Sequence, residues 1–171
     1  LCAEHLNPGG FVSQWVPLYQ MSEAAVRSQV GTFLEVFPEG SIWSNDIRGQ
    51  GYDLILLGQV DPLVIDSARL QSRLDGNALL RESLADVKIN SPLDLLRAYA
   101  GRRRAARSWL DEYQPNLDRN LRLEYLAGRA RTAQKEQDIY ENMTRGLAYP
   151  EGFFRVGPEE ERTLNRFFDI R

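Results

Sequence analysis

Leu6-Asn7-Pro8-Gly9-Gly10-Phe11-Val12-Ser13-Gln14-Trp15-Val16-Pro17-Leu18-Tyr19 carries a helix stop, a tight turn and a strand in one run. Pro8 and the paired glycines close the helical stretch that opens at Leu1, since proline cannot extend a helix and glycine tolerates the turn. From Phe11 to Tyr19 both alternating faces are apolar except at Ser13 and Gln14. That pattern predicts an interior strand covered on two sides, as in a parallel sheet flanked by helices. Pro17 cannot donate to a ladder and marks the strand's end.

Working outward, Ser22 is a good N-cap and Glu23 sits in the first turn, where the helix dipole favours a carboxylate. Val26, Val30, Phe33, Leu34 and Phe37 recur at helical spacing until Pro38 stops them. Two strand-like runs follow, Ser41 to Ser44 and Tyr52 to Gly58. The glycine-rich connection Asn45-Asp46-Ile47-Arg48-Gly49-Gln50-Gly51 makes them a hairpin. Helix, strand, helix and strand pair together read as the closing edge of an α/β sheet. Gly49-Gln50-Gly51 lies between strands instead of opening a helix, so it fails the context of a dinucleotide loop.

After Asp61-Pro62 the pattern turns helical, which divides the chain into residues 1–61 and a helical extension over 62–171. Leu63 to Val87 reads as two amphipathic helices broken near Asp75-Gly76. Ser91 caps another helix, with Pro92 at its first position and Gly101 past its end. Arg102 to Tyr113 is expected to continue helical. Its Arg102-Arg103-Arg104 and Arg107 read either as a contact for phosphate or RNA or as a solvated helix face paired with Asp111 and Glu112. Leu121, Leu123 and Tyr125 alternate with Arg122 and Glu124, which predicts an extended segment over Asn116 to Tyr125. Thr132 to Gly146 and Pro158 to Asp169 are helices, separated by an aromatic loop at Tyr149-Pro150-Glu151-Gly152-Phe153-Phe154.

The composition is that of an ordinary globular chain: 171 residues, 43% hydrophobic and 26% charged. A net charge of −3, from 21 basic and 24 acidic side chains, gives no general field for nucleic acid or an anionic membrane. One cysteine, Cys2, and one histidine, His5, exclude an internal disulfide and zinc sites of the usual Cys and His sets. Neither a signal peptide nor an apolar run of about 20 residues is visible, so a cytoplasmic location is expected.

The run from Leu6 to Tyr19 resembles a recurrent stretch of spermidine-synthase-like proteins, in which a proline-glycine-glycine turn precedes a strand bearing a glutamine and often a tryptophan. The helix ending at Val36-Phe37-Pro38 and the run Tyr52-Asp53-Leu54-Ile55-Leu56-Leu57-Gly58 match that family in order. Asn116-Leu117-Asp118-Arg119-Asn120 is similar to an Asn-Thr-Asp-rich element of its larger bacterial members, with Leu117 in place of the threonine. The resemblance covers residues 1–60 well and 61–160 loosely. It implies the C-terminal fragment of a Rossmann-like, methyltransferase-type sheet of about three strands, including a terminal hairpin, followed by a mainly helical extension.

The family transfers an aminopropyl group from decarboxylated S-adenosylmethionine to a diamine in polyamine biosynthesis, and some members are methyltransferase-like, with S-adenosylmethionine as the expected cofactor. Its acidic and glycine-rich cofactor elements lie upstream of the helix that opens this chain. The resemblance therefore implies no catalytic residue, metal site or bound cofactor here, and a partnership with the upstream nucleotide-binding segment of the parent protein. Gln14 matches the glutamine that faces the acceptor amine; the alternative is a buried glutamine bonded to backbone. Trp15, Tyr19 and Trp43 either line a substrate pocket, since amines favour aromatic faces, or belong to the core. Asp118 and Glu124 either reach a polyamine or belong to a covering strand or loop of the sheet. Asp46 and Asp53 are expected to shape the hairpin turn. With earlier strands absent, the Phe11 strand would expose an edge, so a homo-oligomer through that edge is expected, without nucleic acid or membrane. The rival class is a non-catalytic module for assembly or protein interaction.

Overall fold

Ser22 and the periodic apolar residues behind it act as their chemistry dictates. In the computed structural model, which describes residues 2–19, 21–45, 52–127 and 136–169, the Ser22 hydroxyl accepts the Ala25 N–H at 3.3 Å and opens helix α1, Glu23–Val36. A single 3₁₀ turn, Ala3–His5, precedes strand β1, Val12–Pro17. The hairpin strands β2, Ser41–Asn45, and β3, Asp53–Gly58, follow α1. Residues 46–51 lie outside the described residues, and with them the turn assigned to Asp46 and the Gly49-Gln50-Gly51 run.

β3 pairs antiparallel with both neighbours, Val16 opposite Leu54 on one side and Ser44 opposite Leu54 on the other. The four-stranded sheet has the order β1-β3-β2-β5, where β5 is Tyr99–Arg102. This corrects the expectation that β1 is an interior strand of a parallel sheet. It is an edge strand, antiparallel to its neighbour, and Ser13 and Trp15 are exposed. The apolar run misled because only one face is covered. Leu54 and Leu56 are fully buried under α1, where Val26, Val30, Phe33 and Leu34 meet them, while Ile55 and Leu57 on the other face are half-buried. β1 and β2, each antiparallel to β3, run parallel to each other and are joined by α1.

The region after residue 62 shows further differences. Helices α2, Ser67–Asp75, and α3, Ala78–Asp86, break where Gly76 was expected to break them. Helix α4, Pro92–Arg97, is shorter than its capping signals suggested, and Gly101 lies inside β5 at φ 143°. Past Arg102, the last residue of β5, the chain runs in turns to Tyr113 and forms no helix. Tertiary partners claim two of the four arginines that were expected to pair along a helix: Arg102 Nη2 lies 2.6 Å from Glu39 Oε2, and Arg103 Nη1 donates to the Leu34 carbonyl at 3.0 Å. Asn116 to Tyr125 is a loop leading into α5, Arg122–Ala127, where an extended segment was expected. Helices α6, Glu136–Thr144, and α7, Pro158–Asp169, agree with the sequence pattern; residues 128–135 lie outside the described residues. Two short strands, β4, Ile65–Asp66, and β6, Phe154–Arg155, pair in parallel. No helix among the described residues is long and apolar enough to cross a membrane.

The chain divides into two compact units, Leu1–Pro62 with Ala100–Gly146, and Leu63–Tyr99 with Leu147–Arg171. Residues 62–171, read as one extension, are thus shared between both. In the first unit the Glu23 carboxylate gathers three segments. Its Oε1 accepts from Arg27 Nη2 at 2.7 Å and Trp109 Nε1 at 2.8 Å, and its Oε2 from Asn142 Nδ2 at 3.3 Å. Gly31 makes room for Tyr113: a Cβ there would collide with the ring. Burial, and then the Glu35 carboxylate, push the Tyr113 phenol up to about 12. Its hydroxyl is buried, with no hydrogen bond of good geometry among the described residues. The second unit closes on Tyr99, whose ring meets Phe153, Phe154 and Phe168 at 5.7, 5.5 and 5.9 Å.

Candidate functional site

The register of β1 on β3 gathers aromatic rings around a carboxylate. Pro17 lies opposite Asp53, and the Leu18 N–H donates to the Tyr52 carbonyl at 3.1 Å, extending the ladder one step past the strand. That bond holds Tyr19 beside Tyr52. Their rings stack with centroids 4.6 Å apart and planes 22° apart, and Trp15 approaches Tyr19 at 6.3 Å. Trp15 is 51% exposed and Tyr52 46%, so the group is open to solvent on one side.

Asp53 is the polar centre of this group. It is 9% exposed, and its Oδ1 is buried without a hydrogen-bond partner among the described residues. A desolvated carboxylate oxygen without a donor is costly and is expected to meet a cation or donor. Burial, then Tyr52, then the Asp53 carboxylate raise the Tyr19 phenol above its ordinary value. Tyr19 therefore stays neutral and presents an electron-rich face, which attracts a cation. The group sits at the carboxyl ends of β1 and of its parallel companion β2, the end at which α/β sheets bind ligands.

No family model, curated protein or solved structure matches this chain. The geometry therefore stands by itself. Of the residues singled out in the sequence, Trp15 and Tyr19 come together. Trp43 shares their face, because it and Trp15 both lie opposite Ile55, but it is buried and its indole N–H donates to Ser41 Oγ at 2.9 Å. Gln14 lies opposite Leu56, so strand alternation sets it on the other face from Trp15. Asp118 is exposed in the turn before α5 and takes no part in the cluster.

Tyr52 and Asp53 were missed as site residues, and the assignment of Asp53 to the turn is corrected: it is the first residue of β3. The signal was present. An acidic residue opening the apolar run Leu54-Ile55-Leu56-Leu57 stands where strand pairing can bury it. No group of three His, Cys, Asp or Glu side chains among the described residues is placed to hold a metal ion. The turn from β1 to α1, residues 18–22, contains no glycine. It does not fit a nucleoside or phosphate cradle of the strand–loop–helix kind, which needs close backbone approach.

Proposed function

We propose that this chain is the C-terminal segment of a spermidine-synthase-like aminopropyltransferase, in which it forms one wall of the acceptor-amine site. One observation carries the reading: Asp53 Oδ1, buried without a hydrogen-bond partner among the described residues, next to the stacked Tyr19 and Tyr52. A protonated amine would satisfy that oxygen while its methylenes lie on the rings of Tyr19 and Trp15. The carboxylate would orient the amine, and a base near the reacting nitrogen would accept its proton. The cofactor, decarboxylated S-adenosylmethionine or S-adenosylmethionine, supplies the transferable group and belongs in this proposal to the upstream segment of the parent. This chain alone is then inactive.

Calorimetric titration with 1,4-diaminobutane tests the reading. Saturable binding is expected, and Asp53→Asn should weaken it by about tenfold or more, the factor for roughly 1.4 kcal/mol. Equal binding by wild type and Asp53→Asn, or no binding by either, would overturn it.

A second reading, an assembly module, is favoured by the outer edge of β1. The strand Val12–Pro17 carries no charged residue, and its Trp15 and the adjoining Phe11 are each 51% exposed. Edges left without charge are ready to pair with another strand. In this reading two copies join through β1 across a two-fold axis. Light scattering should then give twice the chain mass, and Ser13→Lys, which places a charge on the exposed edge, should return it to the monomer. A monomer in the unmodified chain rules this assembly out.

A further inference from the structure

A second polar site lies in the loop between Tyr113 and α5, away from the strand ends. The loop is built by its own side chains. Ser28 Oγ donates to the Gln114 carbonyl at 2.7 Å and the Asn116 N–H to Thr32 Oγ1 at 2.8 Å, which seats the segment on α1. Asn120 Oδ1 then accepts the N–H groups of Leu117 and Arg122 at 2.9 and 3.2 Å, and Asn116 Oδ1 accepts that of Leu123 at 3.0 Å. Leu121 turns the chain at φ 43°, a left-handed value that a leucine adopts only when its surroundings impose it. These bonds hold Arg122 at the floor of a cavity of about 360 Å³ lined by Gln114, Asn120, Arg122, Tyr125 and Leu126.

The guanidinium is half used. Its Nη1 donates to Gln114 Oε1 at 2.6 Å, while its Nε is buried and has no acceptor among the described residues. Nε shares with Nη2 the edge of the fork that fits two oxygens of a carboxylate. Among the described residues no acidic side chain lines the cavity; Asp118 and Glu124 are exposed and are not part of its lining. Among the described residues the cavity is thus lined by one positively charged side chain, whose Nε is unfilled, and by an apolar wall from Tyr125 and Leu126. Its volume falls in the range of small-molecule sites, which run from roughly 300 to 1,000 Å³.

We infer that this cavity binds a small organic carboxylate, its oxygens on the Nε edge of Arg122 and its apolar body against Tyr125 and Leu126. A single cation and a hydrophobic wall select a monoanion with an apolar group over a multiply charged phosphate. This inference rests on residues separate from the amine site and stands or falls without it.

The test is a titration of the full chain, isotope-labelled at arginine, with benzoate and separately with inorganic phosphate, followed through the Nε–Hε resonances. Benzoate should move one such resonance saturably, and that resonance should be missing in Arg122→Lys. Arg122→Lys keeps the charge but loses the fork, so benzoate affinity should fall by about tenfold. Tyr125 is 75% exposed, and Tyr125→Ala should fold unchanged while binding benzoate several times more weakly. No movement of the Arg122 resonance with benzoate would overturn the inference, as would unaltered affinity in Arg122→Lys. Phosphate binding as tightly as benzoate would overturn the choice of an apolar carboxylate.

Discussion

Phe153→Ala should lower the stability of the second unit by about 3–5 kcal/mol, the usual cost of emptying a buried aromatic site. Phe153 is 1% exposed and lies between the rings of Tyr99 and Phe154, at 5.7 and 5.3 Å. Its carbonyl also accepts the Ile65 N–H at 2.8 Å, so the backbone there is anchored and cannot collapse freely into the void. Tilted and edge-on ring pairs add roughly 0.5–1.5 kcal/mol beyond area burial, and alanine forfeits that as well. Urea denaturation reads the change. Phe153→Leu, which refills most of the volume, should cost about 1–2 kcal/mol. Equal losses for leucine and alanine would show that the ring contacts, and not the filled volume, hold the unit together.

Glu23→Ala should destabilise the first unit by about 2–4 kcal/mol, because it strands several donors at once. The carboxylate accepts from Arg27, Trp109 and Asn142, residues drawn from α1, from the turns before Tyr113, and from α6. Trp109 is 5% exposed, so its indole N–H would find little water in place of the lost acceptor. Glu23→Gln keeps one carbonyl oxygen and should cost about half as much. Chemical denaturation measures both variants, and the fluorescence of Trp109 supplies a local signal. An alanine variant as stable as the parent chain would show that this carboxylate contributes no net stability.

These contacts also explain what the residues alone could and could not reveal. α1, α2, α3 and α7 were legible because their caps and periodic apolar faces lie within one short stretch. The hairpin was legible for the same reason. β1 was recognised as a strand but misplaced in the sheet, since Phe11 and Trp15 look buried to any pattern that assumes apolar residues face inward. Arg102 to Tyr113 looked helical until Glu39 and the Leu34 carbonyl, more than sixty positions earlier, took up two of its arginines. At the amine site, Trp15 and Tyr19 were visible as strand aromatics. Tyr52 and Asp53 were not, because their neighbourhood exists only once β3 pairs with β1. Arg122 hid in an alternating pattern that Asn116 and Asn120 override through local bonds to the backbone.

The two units are interleaved along the chain: first, second, first, second. During synthesis from the N-terminus, domains ordinarily fold as each is completed. Here the sheet and α1 emerge early but must wait for Trp109, Ile139 and Met143 before their core can close. The helices of residues 63–99 are made in that interval and wait longer still, for Phe153, Phe154 and Phe168. A nascent chain halted near residue 100 would therefore hold two half-built cores at once, each exposing apolar surface. Such a chain should depend on a holding chaperone until Met143 and then Phe168 have been made, and each core should then close abruptly.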